Sequence, residues 1–127
     1  MAYQLSGEKS MVDYLMEDTE FTEPIVRSVL NNLGFNQGEV STKAISDLSG
    51  GEATRLVIAK LFTDPSNVMI LDEPTNFIDV QTIEALENLM KSYNGTILFT
   101  SHDQYFTKNI AEQIWEINNQ KLELIEY

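Results

Sequence analysis

NVMILDEPTNFIDVQTIEALENLMKSYNGTILFT, residues 67–100, is the stretch whose reading decides the fold. In NVMILD four consecutive apolar residues run up to two acids, the pattern of a buried strand rather than the alternation of a half-wet one. TIEALENLM, 82–90, puts Ile83, Leu86, Leu89 and Met90 on one side of an amphipathic helix. TILFT, 96–100, is a second short buried strand. Strand, helix and strand at this spacing form a βαβ unit, so the strands are expected to be parallel and joined by a right-handed crossover in a doubly wound α/β layer.

Downstream, QIWEIN and KLELIEY are split by Asn118, Asn119 and Gln120 and read as a hairpin that would add an antiparallel edge. Trp115 in it reads as packing rather than as a base-stacking residue. Upstream, a helix is expected over 51–62, with Leu56, Ala59 and Leu61 among its apolar positions and Arg55 and Lys60 exposed. Residues 10–19 place Met11, Tyr14 and Leu15 at helical spacing. A second helical segment covers 23–33, with Pro24 tolerated in its first turn and Gly34 as its C-cap. The polar loop FNQGEVSTK, 35–43, divides this helical part from the rest. From Glu8 to Glu23 there are six acids and one base, read as a solvated helical face.

The chain has 127 residues, 43% hydrophobic and 22% charged, as expected for one globular unit with a sizeable core. Twenty acids against eight bases leave a net charge of −12, which repels phosphate backbones and speaks against direct nucleic-acid binding. Any anion must be held locally. The absence of cysteine rules out a disulfide framework and thiolate metal sites. The start, MAYQLSGEKS, lacks a signal-peptide pattern, and runs such as VMIL are too short to span a bilayer. A cytoplasmic protein is the expectation.

Ligands of open α/β sheets collect at the carboxyl ends of the strands, and both strands end in polar clusters. The first is Asp72-Glu73-Pro74. Adjacent residues on an extended strand point to opposite faces, so Asp72 and Glu73 are expected to do different jobs rather than share a proton. The second is Ser101-His102-Asp103, which cannot be a nucleophilic triad because triad members converge in space rather than in sequence. Read alone, it is a strand end followed by an Asp103 N-cap for a helix near 104–110. LSGGEATR, 48–55, is read alone as a turn entering a helix, although its serine and glycines also suit gripping an anion.

LSGGE, about twenty residues, VMILDEPTNFID, a helix and then ILFTSHD together resemble the ATP-binding-cassette ATPases over this whole stretch. Glu52 and EPTNFID look most like the ABC-F branch, whose members carry two cassettes in one chain, lack membrane spans and act on ribosomes; Phe77 stands where many of them have His. The resemblance implies a partial cassette fold: a Q-loop remnant and helical subdomain over 1–47, then signature motif, Walker B, D-loop and H-loop over 48–127. This is the parallel-sheet half of the ATPase core with a C-terminal hairpin.

The roles it implies are as follows. Asp72 would hold Mg²⁺, Glu73 would act as base on the attacking water, and His102 would contact the γ-phosphate of ATP. Asp79 would reach across a dimer interface, and Gln4 would sense metal and water. Ser49, Gly50, Gly51 and Glu52 form the signature turn, whose anion is the γ-phosphate on the opposite cassette, so a second cassette is the implied partner.

The 127 residues contain no Gly-rich loop ending in Lys-Ser/Thr. The isolated chain is therefore expected to be inactive, with hydrolysis belonging to a complete protein whose Walker A half lies outside this sequence. Other readings are a non-catalytic module lending LSGG to a partner, a transporter's nucleotide-binding subunit, and the carboxyl lobe of a split chromosome-maintenance ATPase head.

Overall fold

A computed structural model describes residues 7–126, with the Glu126 side chain left aside. Its elements in order are α1 (Met11–Met16), α2 (Glu23–Asn32), α3 (Glu39–Thr42), a 3-10 turn (Ile45–Asp47), α4 (Gly50–Thr63), β1 (Val68–Asp72), α5 (Val80–Ser92), β2 (Thr96–Thr100), α6 (Gln104–Ile110), β3 (Ile114–Asn118) and β4 (Lys121–Glu126). The βαβ unit is present as expected, with β1 parallel to β2 in a register running from Val68 opposite Thr96 to Asp72 opposite Thr100.

The strands are covered on one face only. Met69 and Leu71 are buried, whereas Val68, Ile70 and Leu98 are 60%, 73% and 63% exposed. The expectation of strands buried on both faces, in a doubly wound layer, is thus corrected for the described residues. Apolar side chains stand on both faces of the pair, but the core has formed on just one. There Phe106 of α6 meets Phe99 edge-on at 5.5 Å, and Leu86 and Met90 of α5 join Met69 and Leu71 in the buried cluster.

The hairpin is antiparallel, and Asn119 and Gln120 both take positive φ (52° and 64°), as a two-residue turn matching strand twist requires. It does not extend the β1–β2 sheet but forms a two-stranded sheet of its own. Trp115 is 48% exposed, so it is not packed as the sequence suggests; its indole N–H lies 3.4 Å from Gln113 Oε1.

The same buried cluster takes in Met11 and Leu15 of α1, Val26 and Leu30 of α2, and Leu56 and Ala59 of α4. Helix α2 ends as its glycine implies. Gly34, at φ 89°, lets its own N–H bond Asn31 and the Phe35 N–H bond Leu30, a Schellman closure with Leu30 and Phe35 both buried. The polar loop after it contains one extra turn, α3.

Arg55 and Lys60 are not the solvated cations that periodicity suggests. Arg55 donates from Nη1 to the Leu33 carbonyl at 3.0 Å, with its guanidinium 5.0 Å from the Phe35 ring centre. Lys60 spans the Tyr14 carbonyl, Asp18 and Asp64, and its ammonium sits over the Tyr14 ring. Partial burial pulls the Lys60 pKa down, but the hydrogen bonds to Asp18 and Asp64 outweigh it and leave the value above that of an ordinary lysine. Both cations tie α4 to the preceding helices.

The entry to β2 passes within touching distance of the entry to β1. A Cβ on Gly95 would lie 2.4 Å from the Asn67 carbonyl oxygen, which already accepts the Thr96 N–H at 2.9 Å, and 2.7 Å from the Tyr93 ring. Gly95→Ala is expected to destabilise the chain by about 1–3 kcal/mol, since backbone rather than a side-chain tip must move. A urea midpoint equal to wild type would refute this.

Candidate functional site

The carboxyl ends of β1 and β2 bring together four of the chemically useful side chains. Asp72 closes β1, and directly opposite in register is Thr100, so the two side chains share a face. The Thr100 hydroxyl donates to Asp72 Oδ1 at 2.5 Å. Glu73 leaves the strand with φ 48°, a left-handed conformation costing a non-glycine residue about 1 kcal/mol or more. Its N–H is held by the Thr100 hydroxyl at 2.9 Å and by the Thr100 carbonyl at 3.2 Å.

Asp72 and Glu73 line the same groove but take different partners, and the backbone turn at Glu73 interrupts the strand alternation from which their different jobs are expected. Glu73 Oε1 lies 3.3 Å from His102 Nε2, and the His102 side chain is 98% exposed. His102 is thus both a surface group and a partner of Glu73. Asp103 caps α6 by accepting the Phe106 N–H at 3.1 Å, as the motif's plain structural reading expects.

A second cluster forms where α4 begins. Ser49 is the N-cap and completes a capping box: its Oγ accepts the Glu52 N–H at 3.2 Å, and Glu52 Oε1 accepts the Ser49 N–H at 3.0 Å. Lys43 pairs with the same Glu52 oxygen at 3.3 Å. The bond from the Ser49 backbone, helped by Lys43 and opposed by partial burial, holds the Glu52 carboxyl below its ordinary pKa. Glu52 is thereby committed to shaping the turn. Capping uses a lone pair of Ser49 Oγ rather than its hydroxyl proton, and the first-turn amides of α4 point outward with the positive end of a 14-residue helix behind them.

Gly50, Gly51, Thr54, Arg55, Ile78 and Asp79 line one cleft of about 360 Å³. Gly50 and Gly51 at the start of α4 and Asp79 therefore face the same space. A larger groove of about 510 Å³ runs past Asp72, Glu73 and Phe77, and the two share Thr54, Phe77 and Ile78 along their border. Phe77 is 88% exposed with φ 65°. Gln4 lies outside the described residues. Sequence reasoning missed Thr100, whose contact with Asp72 depends on strand register, and Arg55, whose anchoring is tertiary.

Asp79 caps α5, accepting the Thr82 N–H at 2.7 Å. Hydrogen bonds from the Thr82 hydroxyl and then its backbone, with a smaller contribution from Arg55, hold its carboxyl below the ordinary value. A lowered folded-state pKa means that the stabilisation is present above the unfolded-state pKa and is lost as pH falls through the folded one. Asp79→Ala should thus cost about 1 kcal/mol at neutral pH, with the gap to wild type closing in acid below the usual aspartate range, while Asp79→Asn keeps the cap. Urea titrations at several pH values check both statements, and a gap that widens in acid would contradict them.

Among the described residues no three carboxylate, imidazole or thiol groups cluster as a closed metal cage. Mg²⁺ uses one or two protein carboxylates together with waters and substrate phosphates. Asp72, exposed at a strand end with one oxygen already oriented, suits such a site. No helix of the described residues is long and apolar enough to cross a membrane.

The ABC transporter family pattern matches residues 4–76. The erythromycin resistance ATP-binding protein MsrA of Staphylococcus epidermidis is 46% identical over 96% of this chain and 25% of its own length. The ATP-binding protein Uup of Escherichia coli is 56% identical over 54% of this chain and 11% of its own. The chain thus spans a quarter or less of these relatives. Among solved structures, RNase-L inhibitor superposes with a TM-score of 0.69 at 21% identity, over 98% of this chain and 26% of that one, a likeness of fold.

Proposed function

The chain belongs to the ATP-binding-cassette ATPase family, ABC-F-like among its branches, and from that premise we propose that it supplies the catalytic-carboxylate and trans-acting parts of an ATP hydrolase working at a two-cassette interface. The observation that carries this is Glu73, held in a left-handed turn beside Asp72 and 3.3 Å from His102 at the strand ends. Glu73 orients the attacking water and takes its proton. His102 closes on the γ-phosphate. Asp72 would hold Mg²⁺, which would supply charge neutralisation for the phosphate oxygens.

Ser49, Gly50 and Gly51 offer a hydroxyl and amides to the γ-phosphate on the facing cassette, and Asp79 reaches over the same interface. Their cleft adjoins the Asp72–Glu73 groove across Thr54, Phe77 and Ile78 but is lined by a different set of polar groups, which supports this division into cis and trans duties. Gln4, in the Q-loop remnant that with the helical subdomain makes up residues 1–47, would sense metal and water.

The branch suggests a cytoplasmic ribosome-acting factor, of the translation or antibiotic-resistance type. Its similarity to MsrA and Uup supports that reading. The acidic chain itself would not bind nucleic acid directly. A Glu73→Gln form of the full-length protein, loaded with ATP, should co-sediment with ribosomes. Its absence from the pellet would favour a transporter subunit instead.

A further inference from the structure

The hydroxyl of Thr100 is used twice. It donates to Asp72 Oδ1 at 2.5 Å and accepts the Glu73 N–H at 2.9 Å, from a position directly across the strand pair. Glu73 occupies a left-handed conformation that a side chain does not adopt without restraint. Few local restraints are at hand. The Glu73 carbonyl accepts the Asn76 N–H at 3.1 Å, closing the turn that follows, and the Glu73 N–H goes to Thr100 alone.

We propose that Thr100 is a positioning residue for the Asp72–Glu73 pair. By fixing one oxygen of Asp72 it sets the plane in which the other is presented to a metal. By taking the shorter of the two bonds from the Glu73 N–H, the other going to the Thr100 backbone carbonyl at 3.2 Å, it helps keep Glu73 in the turn that carries its carboxylate to His102. One hydroxyl thus couples the metal-holding carboxylate to the base. A strand end without this duty would accept any β-branched residue, and valine differs from threonine there by the hydroxyl alone. The inference rests on the hydrolysis reading above.

The test compares Thr100→Val and Thr100→Ser with wild type. In the 127-residue chain, Thr100→Val should shift the Glu73 amide resonance and lower its hydrogen-exchange protection roughly tenfold, the loss expected for a hydrogen bond of this kind. Thr100→Ser should restore both. In the full-length protein, Thr100→Val should raise the Mg²⁺ concentration for half-maximal hydrolysis roughly tenfold, for a bond to an ionised group, with KM for ATP little changed and serine again rescuing.

An unchanged Glu73 amide and Mg²⁺ response in Thr100→Val would overturn the proposal. So would losses that serine fails to rescue and that track a lowered unfolding midpoint, because they would mark a structural role. Glu73→Gln separates the two levels. If that variant hydrolyses normally, the hydrolysis reading fails; if it is dead while Thr100→Val behaves as wild type, the Thr100 assignment alone fails.

Discussion

Glu73→Gln is expected to lower steady-state ATP hydrolysis by the full-length protein by about two to four orders of magnitude, the range over which a positioned general base contributes. Glutamine keeps the size of the side chain and can still face His102, but it cannot take a proton from water. The turn should survive, because the φ of 48° is held from Thr100 through the Glu73 backbone. Nucleotide-driven closure should persist, so phosphate release falls while ATP-dependent association of the two cassettes does not. Turnover equal to wild type would remove Glu73 from the mechanism.

The second large effect concerns the chain by itself. Three charge-assisted hydrogen bonds at about 1.5–3 kcal/mol each, removed from a site worth about −8 kcal/mol, leave an affinity weaker than millimolar. The structure offers no substitute among the described residues. Arg55 is the one basic residue lining either cleft, and its Nη1 is occupied by the Leu33 carbonyl with its guanidinium against Phe35. Releasing it would cost a bond to gain one. Isothermal titration of the 127 residues with ATP and Mg²⁺ should show no binding in the micromolar range, and a micromolar isotherm would sink the idea.

Much of the local structure was legible because its causes are local. The βαβ order follows from two apolar runs around an amphipathic helix, and the Asp103 cap follows from a short acceptor placed before a helical period, a signal that Ser49 and Asp79 also carry but that is read there for other roles. Gly34 announced a left-handed C-terminus. Hydrophobicity alone, however, cannot say whether an apolar face has a neighbour. That is why Ile70 and Leu98, read as buried, stand exposed, and why the hairpin, read as a sheet edge, pairs only with itself.

The same distinction runs through the candidate site. Asp72, Glu73, His102, Asp79 and the LSGGE turn could be singled out through the order and spacing of their motifs, since LSGGEATR and Ser101-His102-Asp103 read alone are a turn and a strand end. Thr100 could not, because its importance comes from a register that sets it opposite Asp72, and register is decided by the pairing of strands 28 positions apart. Arg55 was misread for a similar reason: helical periodicity places it outward, but a carbonyl and a ring from another helix's end occupy it. Sequence by itself determined the elements, their order, their caps and the list of chemical groups, all of which rest on contacts within a few residues. Tertiary structure alone decided which groups meet, which face is bare and what restrains Glu73, because those depend on contacts between segments far apart in the chain.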